Sequence, residues 1–137
     1  MTGPIVVIED EVGVRELLRD LLEMEGFSVL DASDPARVEE IDFDLQPELF
    51  LIDVMLPGMS GIELAEQLRR TTFPSTPMIA MSASWVMVKA AAESGLFQET
   101  LEKPFDIVRL LDCIERHVSP SVPVSAEDES RAVRFAV

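Results

Sequence analysis

Short apolar segments alternate with stretches of helical periodicity along most of the 137-residue chain, and this alternation restricts the fold more than any other feature. The apolar segments are rich in Val, Ile, Leu and Met, as in PIVVI and LFLID. Sequential strands separated by a helix pair in parallel, and a parallel sheet is covered by helices on both faces. The pattern therefore predicts an α/β fold with strands at 4–8, 27–30, 49–53, 77–81 and, as the weakest, 99–102.

Start and stop signals divide the intervening stretches into helices. Asp34 precedes a proline and is a candidate N-cap, and Ser60 has a glutamate three residues later, which is the spacing of a capping box. Gly95 follows a predicted helix at 86–94, and the last helix is predicted at about 106–117. Five strand–helix units predict a flavodoxin-like, doubly wound (βα)5 architecture with a five-stranded parallel sheet.

Length and composition predict one domain at 1–118 followed by a tail at 119–137. The composition changes at Ser119 to a segment rich in Ser, Pro and acidic residues, which predicts a flexible tail. No apolar run approaches the roughly 20 residues that span a bilayer, and the N-terminus lacks a basic segment followed by a long apolar one. We therefore expect a cytoplasmic protein with no membrane contact.

The formal net charge of −15 restricts the partners of the chain. Duplex binding depends on Lys and Arg side chains that neutralise phosphates, so the charge argues against nucleic acid. It does not argue against a metal cation. Lys89 and Lys103 are the only lysines in the sequence, so the position of each is informative.

Charged and polar residues follow four of the predicted strands. They are Glu9, Asp10 and Glu11 after the first strand, Asp53 at the end of the third, Ser82 after the fourth and Lys103 after the fifth. In an open parallel sheet, ligands bind beyond the carboxyl ends of the strands. The sequence therefore predicts that these groups converge on one site.

The residue types at this edge indicate phosphoryl chemistry. Clustered carboxylates repel one another unless a hard divalent cation such as Mg²⁺ lies between them. Asp53 could act as a nucleophile, while the metal, Lys103 and the Ser82 hydroxyl would neutralise charge on the transferring oxygens. A proline follows Lys103, and X–Pro bonds are the ones that adopt the cis form, which would fix the direction of the lysine.

Four motifs resemble those of the receiver domain of two-component response regulators. VVIEDE, LFLIDVMLPGMSGIEL, MSAS and EKPF occur in the family's order and with nearly its spacing, over roughly residues 3–118. The resemblance implies that Asp53 is the phosphoacceptor and that Asp10 directly, Glu9 through water and the Met55 carbonyl ligate Mg²⁺. It also implies that Ser82 is the switch hydroxyl and that Lys103 pairs with the phosphate.

The resemblance further implies a reaction and partners. A histidine kinase or a histidine phosphotransfer protein would donate the phosphoryl group to Asp53, and output would pass through protein–protein contacts with an unknown downstream protein or a second copy of the chain. The chain would catalyse its own phosphorylation and dephosphorylation rather than act on an external substrate. We expect no output domain in residues 119–137, which are predicted to be a tail.

Two features depart from the family pattern. The position three residues before the lysine is usually aromatic and is Thr100 here, which cannot fill the same volume. The stretch from Ser82 to Gly95 is about two residues shorter than usual, so we expect a short or displaced fourth helix. Its WVMV segment (85–88) is either ordinary core packing, an exposed contact patch for a partner or a homodimer, or part of a mobile loop.

Two other functions compete with a phosphorylated switch. The first is an interaction module that keeps the receiver fold but no longer switches on phosphorylation, which Thr100 favours and the complete set of acids, Ser82 and Lys103 opposes. The second is a metal-dependent phosphohydrolase with an aspartate nucleophile. It would need a second acid to protonate the leaving group and a substrate pocket, and the sequence indicates neither.

Overall fold

The computed structural model describes residues 3–118, so the predicted tail at 119–137 lies outside the described residues. The strands are β1 (Ile5–Ile8), β2 (Val29–Ala32), β3 (Leu49–Asp53), β4 (Met78–Ser82) and β5 (Glu99–Glu102). The helices are α1 (Val12–Met24), α2 (Pro35–Val38), α3 (Gly61–Thr71), α4 (Trp85–Ser94) and α5 (Ile107–Glu115), with a 3-10 turn at Phe43–Leu45.

The five strands form one parallel sheet in the order β2-β1-β3-β4-β5. This is the doubly wound order in which the winding reverses between β1 and β3, and it confirms the predicted flavodoxin-like α/β class. The reversal leaves a crevice at the carboxyl ends of these two central strands, which positions the site.

Alternate residues of each strand pack on opposite faces of the sheet. Ile5 and Val7 belong to a buried cluster with α1 and α5, whereas Val6 and Ile8 belong to a second cluster with α2 and α3. Side chains alternate across a strand, so a strand that is apolar at every position needs a helix layer on each face. Cys113 is buried in the first cluster, as expected for a small apolar residue.

The second strand begins two residues later than predicted. After α1 the chain forms a Schellman-type end, in which Gly26 has φ 91° and the N–H of Phe27 donates to the carbonyl of Leu22 at 3.0 Å. Phe27 is buried as part of this helix end, and strand pairing starts only where Val29 aligns with Ile5. The predicted strand at 27–30 therefore lies at Val29–Ala32.

Four of the five helices in the described residues begin after a side chain that caps them, and those of α2 and α3 are the predicted caps. The side chains of Asp34, Ser60, Ser84 and Asp106 each accept a hydrogen bond from the N–H three residues later. α4 ends at Gly95, which has φ 75° and acts as its left-handed cap. α4 has ten residues, against nine in α5, and the expectation of a fourth helix that is short or displaced relative to other receivers stays a prediction.

The start of α4 is exposed. The side chains of Trp85 and Val86 are 62% and 56% exposed, and in α4 only Ala91 is fully buried. Core packing of the whole WVMV segment is therefore excluded, and the segment offers a surface. Within residues 3–118, no helix has the length and apolar character needed to cross a membrane.

Candidate functional site

Asp53 is the last residue of β3, and its carboxylate is held at the carboxyl edge of the sheet. The backbone N–H of Met55 donates to its Oδ1 at 2.8 Å, and the Nζ of Lys103 donates to its Oδ2 at 3.1 Å. The side chain is 8% exposed. Both oxygens are therefore oriented, one by the backbone and one by a cation, while a small opening to solvent remains.

Glu9, which follows β1, is the most deeply buried acid of the site, with no exposed side-chain surface. Its Oε1 accepts a hydrogen bond from the Nζ of Lys103, and its Oε2 accepts one from the N–H of Glu11 at 3.3 Å. Lys103, which follows β5, thus bridges the carboxylates of Glu9, which follows β1, and Asp53, at the end of β3. A buried charge is tolerated only when it is paired in this way.

The backbone fixes the position of Lys103. Its N–H donates to the carbonyl of Ser82 at 2.8 Å, which continues the pairing of β5 with β4. The peptide bond between Lys103 and Pro104 is cis. The ammonium group is consequently presented at the edge of the sheet next to the carboxylates.

Burial and the neighbouring charges change the protonation of this cluster. Burial first, and then the nearby Asp53 carboxylate, raise the pKa of Glu9, and because Lys103 only partly opposes them the pKa is about 7. Burial alone would lower the pKa of Lys103, but its contacts with Glu9 and Asp53 outweigh burial and raise that pKa. Near neutral pH, Glu9 is therefore the group of the site that exchanges a proton.

We expect the metal-free chain to lose stability as the pH rises from about 5 to about 8. The pKa of Glu9 is about 7 in the folded state against a usual 4.5, so the folded chain holds more protons than the unfolded chain between these values. Stability therefore falls with rising pH in that window. Denaturation in a chelator at both pH values measures this, and Glu9→Gln should reduce the difference. An undiminished pH dependence in Glu9→Gln would contradict the assignment.

The carboxylates fit a small divalent cation. One oxygen each from Glu9, Asp10 and Asp53 can be chosen so that all three lie within 4.8 Å of one another. Oxygen ligands of an octahedral Mg²⁺ lie about 3–4 Å apart, so only a small contraction is needed. Asp10 is exposed, which leaves room for the water molecules that Mg²⁺ retains. Glu9, Asp10 and Asp53 are the residues that would hold the ion.

Met55 and Ser82 lie near this cluster, but the Met55 carbonyl and the Ser82 hydroxyl, the groups predicted to function, make no hydrogen bond with it among residues 3–118. The N–H of Met55 contacts Asp53, whereas its carbonyl as a metal ligand stays a prediction. Ser82 is fully buried, and its Oγ accepts the N–H of Ser84 at 3.1 Å. Among residues 3–118, that hydroxyl has no hydrogen bond with Asp53 or Lys103.

Two supporting residues were missed in the sequence. Arg15 donates from Nη1 to the carbonyl of Glu9 at 3.0 Å and also lies 3.7 Å from Asp31, so it ties α1 to the loop after β1. A Cβ at Gly61 would lie 2.3 Å from the carbonyl oxygen of Asp53, so only glycine lets α3 start against this strand end. An arginine in the first turn after an acidic triplet is a signal that could have indicated the first.

The arrangement agrees with a known family. Residues 5–115 match the family model described as the response regulator receiver domain, which covers most of the chain. The chain belongs to the response regulator receiver family. Receiver domains act in two-component signal transduction, where an aspartate accepts a phosphoryl group in a Mg²⁺-dependent reaction and histidine kinases supply that group.

Curated relatives differ in how much of their length this receiver chain spans. Sporulation initiation phosphotransferase F of Bacillus subtilis is 26% identical over 126 residues, which are 86% of this chain and 95% of that protein. The phosphate regulon transcriptional regulatory protein PhoB of Pseudomonas aeruginosa is 39% identical over 80 residues, 58% of this chain and 35% of that one. Response regulator MprA of Mycobacterium tuberculosis is 30% identical over 136 residues, which are 99% of this chain and 59% of MprA.

Solved receiver structures superpose on the described fold. The response regulator TrrA of Thermotoga maritima, in complex with Mg²⁺ and BeF, superposes with a TM-score of 0.75 at 25% identity. The aligned region is 85% of this chain and 100% of TrrA. A CheY-like receiver domain from Methylobacillus flagellatus has a TM-score of 0.75 at 28% identity, with 86% and 100% covered. These structures support the doubly wound fold assigned to this receiver.

Proposed function

We propose that Asp53 is the phosphoacceptor and that the receiver works as a phosphorylation switch. The observation that supports this most is the single cluster of Asp53, Glu9, Asp10 and Lys103 at the carboxyl edge of the sheet. Only a carboxylate that is both oriented and open to solvent can attack a phosphoryl donor, and Asp53 meets both conditions. The Mg²⁺ and BeF bound to TrrA of Thermotoga maritima are consistent with this chemistry.

The proposed reaction moves one phosphoryl group to Asp53. A carboxylate oxygen attacks the phosphorus of a phosphohistidine, the P–N bond breaks, and its electron pair stays on the imidazole nitrogen, which leaves an acyl phosphate on Asp53. Lys103 already faces Oδ2 of Asp53 at 3.1 Å, so its ammonium can pair with a phosphoryl oxygen placed there. Mg²⁺ held by Glu9, Asp10 and Asp53 would neutralise charge on the phosphoryl oxygens.

The donor in this proposal is a histidine kinase or a histidine phosphotransfer protein, and output passes through protein contacts. We further propose that residues 1–118 make up the receiver domain and that 119–137 follow it as a tail rich in Ser, Pro and acidic residues. A relative of which this chain spans 95% of the length is named a phosphotransferase. That likeness favours output by contact with another protein, including transfer of the phosphoryl group onward.

We expect Mg²⁺ to stabilise the chain and to be required for labelling by acetyl phosphate, a small phosphodonor. At a concentration ten times the dissociation constant, Mg²⁺ should add about 1.4 kcal/mol to the free energy of unfolding, because it binds only the folded state. Asp10→Ala should weaken Mg²⁺ binding about tenfold or more. Thermal melts and intact-mass spectrometry measure both effects, and the exposed Glu16→Ala on α1 is the control. Equal Mg²⁺ affinity in Asp10→Ala and the wild type would remove the metal assignment.

A receiver-fold module that no longer switches is the second candidate function. Thr100 stands where the family has an aromatic residue, and in β5 it pairs with Ala80 as a half-buried side chain. The Ser82 hydroxyl is engaged with the N–H of Ser84 instead of the carboxylate of Asp53. Coupling requires an element with two arrangements, and the segment 84–95 is the one that Ser82 could move.

We expect phosphorylation to change the fluorescence of Trp85, the only tryptophan. Its ring is 62% exposed at the start of α4, three residues after Ser82, so a movement of the Ser82 hydroxyl toward a phosphoryl group would change its environment. Ser82→Ala should still accept the label but show a smaller change in emission. Emission that is indifferent to phosphorylation in the wild type would favour the non-switching module.

A further inference from the structure

An open groove of about 690 Å³ lies between α2 and α3, on the face of the sheet opposite α1 and α5. Its floor is apolar and includes Val38, Leu64 and Leu68, while the loop after β3 closes one end. The groove is open because α2 has only four residues and ends after one turn. None of the acids or lysine of the site lines it.

The charged residues that line this α2–α3 groove are all acidic. Asp34 and Glu39 are the only charged side chains among the lining residues described, and no Lys or Arg accompanies them. An apolar floor beside acidic walls is complementary to a segment that carries both arginines and large apolar side chains. The net charge of −15 makes such segments rare in this sequence.

Outside the described residues, one segment of the chain has this chemistry. Residues 131–137 read RAVRFAV and contain two of the eleven basic residues of the sequence, together with Val133, Phe135 and Val137. They lie outside the described residues. We propose that residues 131–137 dock in the α2–α3 groove, with the arginines toward Asp34 and Glu39 and the apolar side chains on its floor.

The intervening chain is long enough for this docking. Residues 119–130 comprise twelve residues and can span ~40 Å when extended. α3 and α5 both run back from the carboxyl ends of their strands, so Val118 and the end of the groove at Thr71 and Thr72 lie at the same, amino-terminal edge of the sheet. From Val118, residues 119–130 have to pass from the α5 layer across the sheet to the α3 layer, about 20 Å, and along the sheet past a few strands spaced about 4.8 Å apart. The extended length of ~40 Å is sufficient for this path.

A spin label next to the segment tests the proposal in the full chain. Ser130→Cys provides a new thiol for a nitroxide, while the native Cys113 is buried. NMR signals of Val38, Leu64 and Leu68 should lose most of their intensity, whereas those of Leu111 and Ile114 on the opposite face should keep theirs. The same measurement in a Cys113→Ala background guards against labelling of the native thiol.

Charge-reversal variants and a mixture of two differently labelled chains test whether the segment occupies the α2–α3 groove of its own chain. Arg134→Glu should abolish the signal loss, and adding Glu39→Arg should restore it, while Val124→Ser in the intervening chain should change nothing. Signal loss that spreads over both faces of the sheet, or none at all, would overturn the proposal. A mixing experiment tests whether the segment docks on its own chain: a chain with the spin label but no isotope is mixed with a chain that has the isotope but no spin label. If the NMR signals of the isotope-labelled chain lose as much intensity as in the doubly labelled chain, a second copy is the occupant and the proposal is overturned.

Discussion

Asp53→Asn is expected to abolish labelling of the chain by acetyl phosphate in the presence of Mg²⁺. An amide oxygen is a far weaker nucleophile than a carboxylate, and no other carboxylate of the site combines orientation with access. Glu9 has no exposed surface, and Asp10 lacks the contact with Lys103 that would pair with the phosphoryl oxygens. Intact-mass spectrometry, followed by peptide mapping, measures the label.

The variant should keep its fold, so that the loss of label reports on chemistry. The amide oxygen of Asn can still accept the N–H of Met55, and Lys103 keeps its contact with Glu9. The change also removes like-charge repulsion between Glu9 and position 53. Asp20→Asn, an exposed change of the same type on α1, should retain full label. Undiminished labelling of Asp53→Asn would show that another residue is the phosphoacceptor.

The cluster of the site was predictable because it depends on strand ends. Once the apolar runs are assigned to parallel strands, Glu9, Asp53 and Lys103 must meet at one edge, whatever the details of packing. β3 has the predicted bounds because it is a short apolar run that ends at an acid, and β5, the weakest prediction, also has them although its sequence ETLE is not an apolar run. The alternation of elements therefore carries most of the information on both fold and site.

Properties that depend on tertiary neighbours were not predictable from the periodicity. Helical spacing alone would place Val108 on one apolar stripe with Leu111 and Ile114, yet Val108 is 37% exposed, whereas Ile107 and Leu110 are fully buried. With nine residues and several adjacent apolar positions, the helix allows more than one stripe, and only contact with the sheet selects one. The hydrogen bond of the Ser82 hydroxyl to Ser84 likewise depends on loop geometry, which spacing does not specify.

Arg69 is the clearest example of an interaction hidden in the sequence. It lies on α3, and its guanidinium donates to the carbonyls of Leu96 at 2.8 and 2.6 Å, of Pro74 at 3.1 Å and of Thr76 at 3.0 Å. A fifth bond reaches Oε1 of Gln98 at 2.9 Å. One side chain therefore joins α3 to the loop before β4 and to the loop between α4 and β5, over separations of up to 29 residues.

We expect Arg69→Met to destabilise the chain by about 2–4 kcal/mol, since it removes five charge-assisted hydrogen bonds and leaves backbone carbonyls to find water instead. Methionine keeps much of the side-chain volume, so the loss reports on the bonds more than on packing. For a domain of this size the melting temperature should fall by about 10 °C. Hydrogen exchange at Leu96–Gln98 should accelerate, because these residues lose their connection to α3.

The neighbouring Arg70→Met provides a matched control on the same helix. Arg70 makes an exposed ion pair with Glu66 at 3.7 Å, and its side chain is 73% exposed, so its loss should change stability by no more than about 0.5 kcal/mol. α4 begins beside Ser82 and is followed by the loop that Arg69 contacts. Both variants remove one positive charge from α3, but only Arg69→Met removes the contact with the end of α4, so the difference between them reports on that contact. Equal melting temperatures for Arg69→Met and Arg70→Met would mean that water replaces these bonds without cost and that the α4–β5 loop is held by its apolar contacts alone.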